Sequence, residues 1–175
     1  MVARGYPDRY PASGHMKKHP EFMVDDIVPL DPLRLIRKRP DMYLGTDVVS
    51  PSVIALRLQD DAKLLGVRET TVREFQGWTI VSGDIDWLSL GAGAPSDAQA
   101  LFENVFPFPE AGVNSFRGEI LVAAFASLAI TSTPTERLAI AGRVDSTNAI
   151  WEQMLTEGIS RAIAFQLLNN NENAE

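Results

Sequence analysis

Side chains that can hold or move charge fall into only a few groupings in this chain. Asp84 and Asp86 alternate around Ile85 at the end of an apolar run. That spacing turns both carboxylates to one side of an extended strand, where they either bind a cation or polar ligand or form a solvated turn. Arg37, Lys38 and Arg39 make the one dense basic cluster, suited to gripping a phosphate or an acidic partner surface. The same three residues also suit a helix C-terminus ahead of Pro40, where cations are favoured. Asn114, Arg117, Gly118 and Glu119 stand at an expected helix start, where an anion can be met or the helix simply capped. Asp60, Asp61 and Lys63 read as a solvated helix face, and Tyr43 as a packing residue or a plug for a groove. His15 and His19 have one-turn spacing, but Gly14 and Pro20 oppose a helix there, so no metal pair is expected.

What is missing excludes more. With no cysteine there is no disulfide, no thiolate nucleophile and no cysteine-held zinc or iron–sulfur centre. Both histidines lie in a polar N-terminal stretch, which leaves the core without a Ser-His-Asp arrangement. No serine, threonine or lysine has a base placed near it, so no catalytic residue is expected. A net charge of −7 disfavours direct contact with nucleic acid, since neutralising phosphates takes clustered lysine and arginine. The longest apolar stretch, Ile120 to Ile130, is about half of what a bilayer requires, and Met1 to Tyr10 carry no secretory apolar block. The expected location is the cytoplasm, away from the membrane. Hydrophobic and charged fractions of 45% and 22% are those of a chain that folds.

The elements that must position these residues follow from punctuation and periodicity. Residues 1–26 read as a flexible arm, 27–168 as one globular domain and 169–175 as a fraying tail. Asp31-Pro32 starts a short helix that Pro40 ends, and Ser50-Pro51 starts a longer one that closes at Gly66. Thr70–Phe75 and Trp78–Val81, rich in β-branched and aromatic residues and separated by Gln76-Gly77, predict a hairpin. Ser96 and Gln99 form a capping box for a helix reaching about Val105. Glu119 to about Ser127 reads as a buried helix, and Leu128–Thr131 with Leu138–Ala141 as a second antiparallel pair. A last helix is expected from about Asn148, continuing past Gly158 to Leu167. The sum is an α/β chain, more narrowly an α+β two-layer sandwich, with an antiparallel-rich sheet of about four or five strands covered on one face by helices.

One segment carries a resemblance. Leu35-Ile36-Arg37-Lys38-Arg39-Pro40-Asp41-Met42-Tyr43-Leu44-Gly45 resembles the Arg-Lys-Arg-Pro-Gly-Met-Tyr-Ile-Gly signature of the GHKL ATPase domain in the DNA gyrase B and topoisomerase IV family. Asp41 replaces that family's glycine. The later order of helix, hairpin, glycine-bearing segment and further helix is also similar. The resemblance implies a reduced GHKL-like fold and, where a nucleotide binds, Mg-ATP held near Asp60, Asp84, Asp86, Asn114, Arg117 and Gly118. It implies a degenerate site as well. The first helix offers Arg57, Gln59, Asp60 and Asp61 in place of Glu-x-x-x-Asn, Ile85 and Trp87 fill glycine positions, and the lid keeps Gly118 alone.

Two functions are therefore expected to compete. A non-catalytic binding or regulatory protein, such as a bacterial accessory or immunity factor, needs no cofactor and uses Arg37, Lys38, Arg39 and Tyr43 toward a protein partner. Its interior is filled by Trp87, Phe102 and Phe106. The alternative, a nucleotide-binding ATPase, needs Asp84 or Asp86 in a purine-sized cavity between the Pro51–Leu65 helix and the Asn114–Ala126 segment. A third, weaker expectation is a subunit whose N-terminal arm docks on a neighbour through Tyr6 and Tyr10.

Overall fold

A computed structural model of the chain describes residues 30–168. The expected arm with its His15/His19 pair, Tyr6 and Tyr10, and the expected tail, lie outside the described residues. Asp31 caps α1 (Pro32–Lys38), its Oδ1 accepting from the Leu33 and Arg34 amides at 3.0 and 3.2 Å. Pro40 does more than end α1: it opens a second helix, α2 (Pro40–Leu44), which was not expected. Proline's fixed φ and missing N–H suit a first helical turn as well as they stop the helix before it. Asp41 thus sits in an ordinary helical turn, and the left-handed position of the motif is Gly45, at φ 69°. Ser50 caps α3 (Pro51–Leu64) through a 3.3 Å bond from the Val53 amide.

β1 (Thr70–Phe75) and β2 (Trp78–Gly83) form the expected hairpin. Gln76 and Gly77 both have positive φ, the two-residue turn whose twist matches that of paired strands. The Ser96 capping box does not form. Asp97 Oδ1 instead accepts from the Gln99 amide at 2.9 Å, and the helix shrinks to α4 (Ala100–Glu103). α5 (Glu119–Phe125) is buried at every residue and runs directly into β3 (Ala126–Ser132), which pairs with β4 (Arg137–Ala141).

The expected C-terminal helix is the largest correction. Only α6 (Ile150–Met154) is helical, Gly158 turns the chain at φ 82°, and Arg161–Leu167 is strand β5. β5 is the centre of the sheet, whose order is β1-β2-β5-β3-β4 with every pairing antiparallel. Val81, Ala129, Ile163 and Phe165 pack toward α1, α3, α4 and α5, while Trp78, Ile80, Ile130, Ala162 and Ala164 pack toward α6. The architecture is an α+β sandwich, with α6 adding cover on the second face. One end of the sheet gathers the last residues of β2 and β3 and the first of β4 and β5, because Gly83 pairs with Arg161 and Ser132 with both Ala162 and Arg137.

Candidate functional site

α3 carries Arg57 and Asp61 one turn apart on its inner side. Arg57 Nε lies 3.0 Å from Asp61 Oδ1, an ion pair without hydrogen-bond alignment, and Arg57 Nη2 donates to the Phe116 carbonyl at 2.6 Å. Asp61 Oδ2 accepts from the Gly118 amide at 2.7 Å. A Cβ at Gly118 would stand 2.8 Å from that oxygen and 2.9 Å from Arg57 Cγ, so only glycine lets the two segments close. Beside them Arg117 donates to Glu119 at 2.8 and 3.1 Å, to the Leu90 carbonyl at 2.8 Å and to the Trp87 carbonyl at 3.2 Å. Its guanidinium also lies over the Phe108 ring, 5.5 Å from the centroid.

Asp61, Arg117 and Glu119 are buried, and Arg57, partly exposed, completes two adjoining ion pairs. Burial pushes the Asp61 carboxyl up to about 6, and Glu119 adds to the rise, against the opposing pull of Arg57 and the Gly118 amide. The expected solvated face therefore holds for Asp60, which is exposed and 3.8 Å from Lys63, but not for Asp61. Trp87 and Phe102 are wholly buried in the same core and Phe106 partly so. A crevice beside Arg117, walled by Gly91–Ala94 and Pro107–Phe108, has no room for a water molecule.

Of the residues tied to nucleotide binding by resemblance, the adjacent Arg117 and Gly118 take part in this network. Asp84 Oδ1 accepts from the Arg68 and Glu69 amides, each at 3.3 Å, and ties the start of β1 to the end of β2. Asp86 grips Arg161 with both oxygens at 2.8 Å. Asn114 is exposed in a loop with φ 64°. Asp86 lines a polar cavity to which no residue of α3 contributes. No known protein-family model matches this chain. No curated protein matches it either.

The basic cluster disperses. Arg37 donates to the Ala123 and Ala124 carbonyls at the C-terminal end of α5, holding α1 against it. Arg39 pairs with Asp41 at 3.3 Å in solvent, which lowers the Asp41 carboxyl and raises the guanidinium. Lys38 is exposed. Tyr43 packs edge-on against Phe116, 5.7 Å between centroids, and with it forms a wall of an open apolar groove of about 590 Å³. Val105, Pro107, Pro109, Val113 and the predicted site residue Asn114 also line that groove, with Val113 93% exposed.

A second cavity, about 200 Å³ and polar, lies at the end of the sheet where Asp86 meets Arg161. Ser89, Ser96, Asp97 and Glu136 contribute to its walls. Arg161 Nη1 also donates to Thr131 Oγ1 at 3.2 Å. Sequence reasoning missed Arg161 because it was assigned to a helix, and missed the Arg57–Asp61 pair although Ile54, Leu58 and Ala62 set the inner face of α3 to which Asp61 also belongs. Among the described residues no group of three or more His, Asp or Glu side chains is placed to hold a metal ion, and no helix is long and apolar enough to cross a membrane.

Proposed function

We propose that this chain is a non-catalytic protein-binding or regulatory factor on a degenerate GHKL-like scaffold, of the bacterial accessory or immunity type, working in the cytoplasm without nucleic acid. The observation that carries the reading is the closure of Arg57, Asp61, Arg117 and Glu119 upon one another, with Gly118 sealed against Asp61. A nucleotide needs charged groups that face open space, and here each faces an opposite charge or a backbone partner. That closure counts against Mg-ATP at these residues. The apolar groove beside Tyr43 supports the same reading, because a contiguous exposed apolar surface is one mark of a protein contact site.

Calorimetric titration with a non-hydrolysable ATP analogue and magnesium tests this directly, on the wild-type chain and on Asp84→Ala and Asp86→Ala. No heat at millimolar analogue is expected. Saturable binding weakened by either substitution would overturn the proposal in favour of a GHKL-type nucleotide-binding domain. On the positive side, a protein retained by the wild-type chain is expected to be lost with Val113→Asp, which places a charge in the groove without disturbing the core.

A further inference from the structure

We propose that the outer edge of β4 and the polar cavity at its start together take up an extended segment of a protein partner, and that the cavity receives a lysine or arginine side chain from that segment. The inference rests on the protein-binding reading above. β4 has a single neighbour, β3, and no other described backbone segment pairs with its outer side. Such an edge presents a row of free N–H and C=O groups, which natural sheets blunt with charge, proline or a covering side chain. The other edge, β1, carries charge at Arg73 and Glu74, and Arg73 Nη2 donates to the Gln153 carbonyl of α6 at 2.7 Å. In β4 the only charge is Arg137 at the first position, drawn over the Trp151 ring at 5.4 Å, and Leu138–Ala141 carries none.

The cavity adjoins this edge because Glu136 both lines it and immediately precedes β4. Its floor is the Asp86–Arg161 pair, in which the buried guanidinium is already matched by both carboxylate oxygens. That leaves Asp97 and Glu136 in its walls without an ion-pair partner among the described residues. An anion entering here meets two uncompensated carboxylates, whereas an ammonium or guanidinium group meets them as acceptors. A volume of about 200 Å³ accommodates such a head group and part of its stem. A strand added beside β4 lies about 4.8 Å from it, and at the level of Glu136 its side chains stand beside the residue that borders both the edge and the cavity. Main-chain pairing then supplies affinity and the cavity supplies selectivity.

The test uses isotope-labelled full-length chain and two seven-residue valine–threonine peptides carrying one lysine at adjacent positions, so that one of them turns it toward the cavity. Matched peptides carry glutamate instead. One lysine peptide is expected to shift the amides of Arg137–Ala141 and Ser96–Ala98 and to bind about tenfold tighter than its glutamate counterpart. Asp97→Asn with Glu136→Gln, both at exposed positions, should erase that difference while leaving the fold intact, and added salt should narrow it. Equal binding of the two peptide types, shifts confined to β1 or to the Tyr43 groove, or no shift at all would overturn the inference. If the peptides and the ATP analogue are both silent, the inference falls and the protein-binding reading stands. Saturable ATP binding removes the reading itself.

Discussion

Asp61 should respond to pH in the sense opposite to most ion-paired carboxylates. An aspartate beside an arginine normally titrates below its free value and loses its contribution to stability in acid. Here burial outweighs Arg57, and the carboxyl rises from 3.8 to about 6. The native state then binds more protons than the unfolded chain across that interval. The group's contribution is fully present below the unfolded value and is lost as pH rises through about 6. A shift of this size is worth about 3 kcal/mol at the limit, of which about 1.4 kcal/mol is present at pH 5. Urea unfolding of the wild type and of Asp61→Asn, across pH about 4 to about 7, isolates the effect. Asparagine does not titrate and keeps an acceptor for the Gly118 amide. Taking the difference cancels Glu110 and Asp145, whose carboxyls are lowered by bonds from Ala92 and Thr147 and whose contributions are lost as pH falls. The stability of the wild type relative to the variant should fall by about 2 kcal/mol over that range as pH rises. A difference that is flat, or that grows with pH, would refute the claim that burial dominates at this site.

Gly118→Ala should destabilise the chain by about 1–3 kcal/mol in urea unfolding, since the added methyl meets Asp61 Oδ2 and Arg57 Cγ inside 3.0 Å and neither partner can retreat without breaking the network. Arg117→Met alone should cost about 3–5 kcal/mol by stranding a buried Glu119, and adding Glu119→Leu should recover most of that loss; a double variant no more stable than the single one counts against the pairing. Arg37→Gln should cost about 1 kcal/mol by releasing the last carbonyls of α5, with no change in the heat of any ATP titration.

How far the sequence carries depends on how clearly the ends of an element are marked. α1, α3 and the hairpin carry clear caps or turn residues, and they lie within a residue or two of where punctuation puts them, even though β2 is buried along its whole length. β5 has neither. It is buried from Arg161 to Phe165 and packs apolar side chains into both cores, so the alternation that identifies a half-buried strand is absent and the run reads equally as helix. The site was legible to the same degree. Asp60 and Asp61 are adjacent in sequence, but about 100° of helical rotation separates a solvated carboxylate from one sealed in the core. The phase of Ile54 and Leu58 fixes which is which. Arg161 could not be found, because its partner Asp86 is met only once β5 lies beside β2.

A nucleotide site and a closed ion network make opposite demands on the same residues. The former keeps its carboxylates, amides and glycines facing a space that water fills until the ligand displaces it, and the fold bears that cost in stability for the sake of function. In this chain the glycine between Arg117 and Glu119 gives its amide to Asp61, and the arginine beside it gives its donors to Glu119 and to the carbonyls of Trp87 and Leu90. The segment that resemblance would make a mobile lid is thereby fastened to α3 and to the turn after β2. Opening it would uncover the buried Asp61, Arg117 and Glu119 together. Such a clamp favours a rigid interior, and the two proposed binding surfaces, the apolar groove by Tyr43 and the edge of β4, lie outside it.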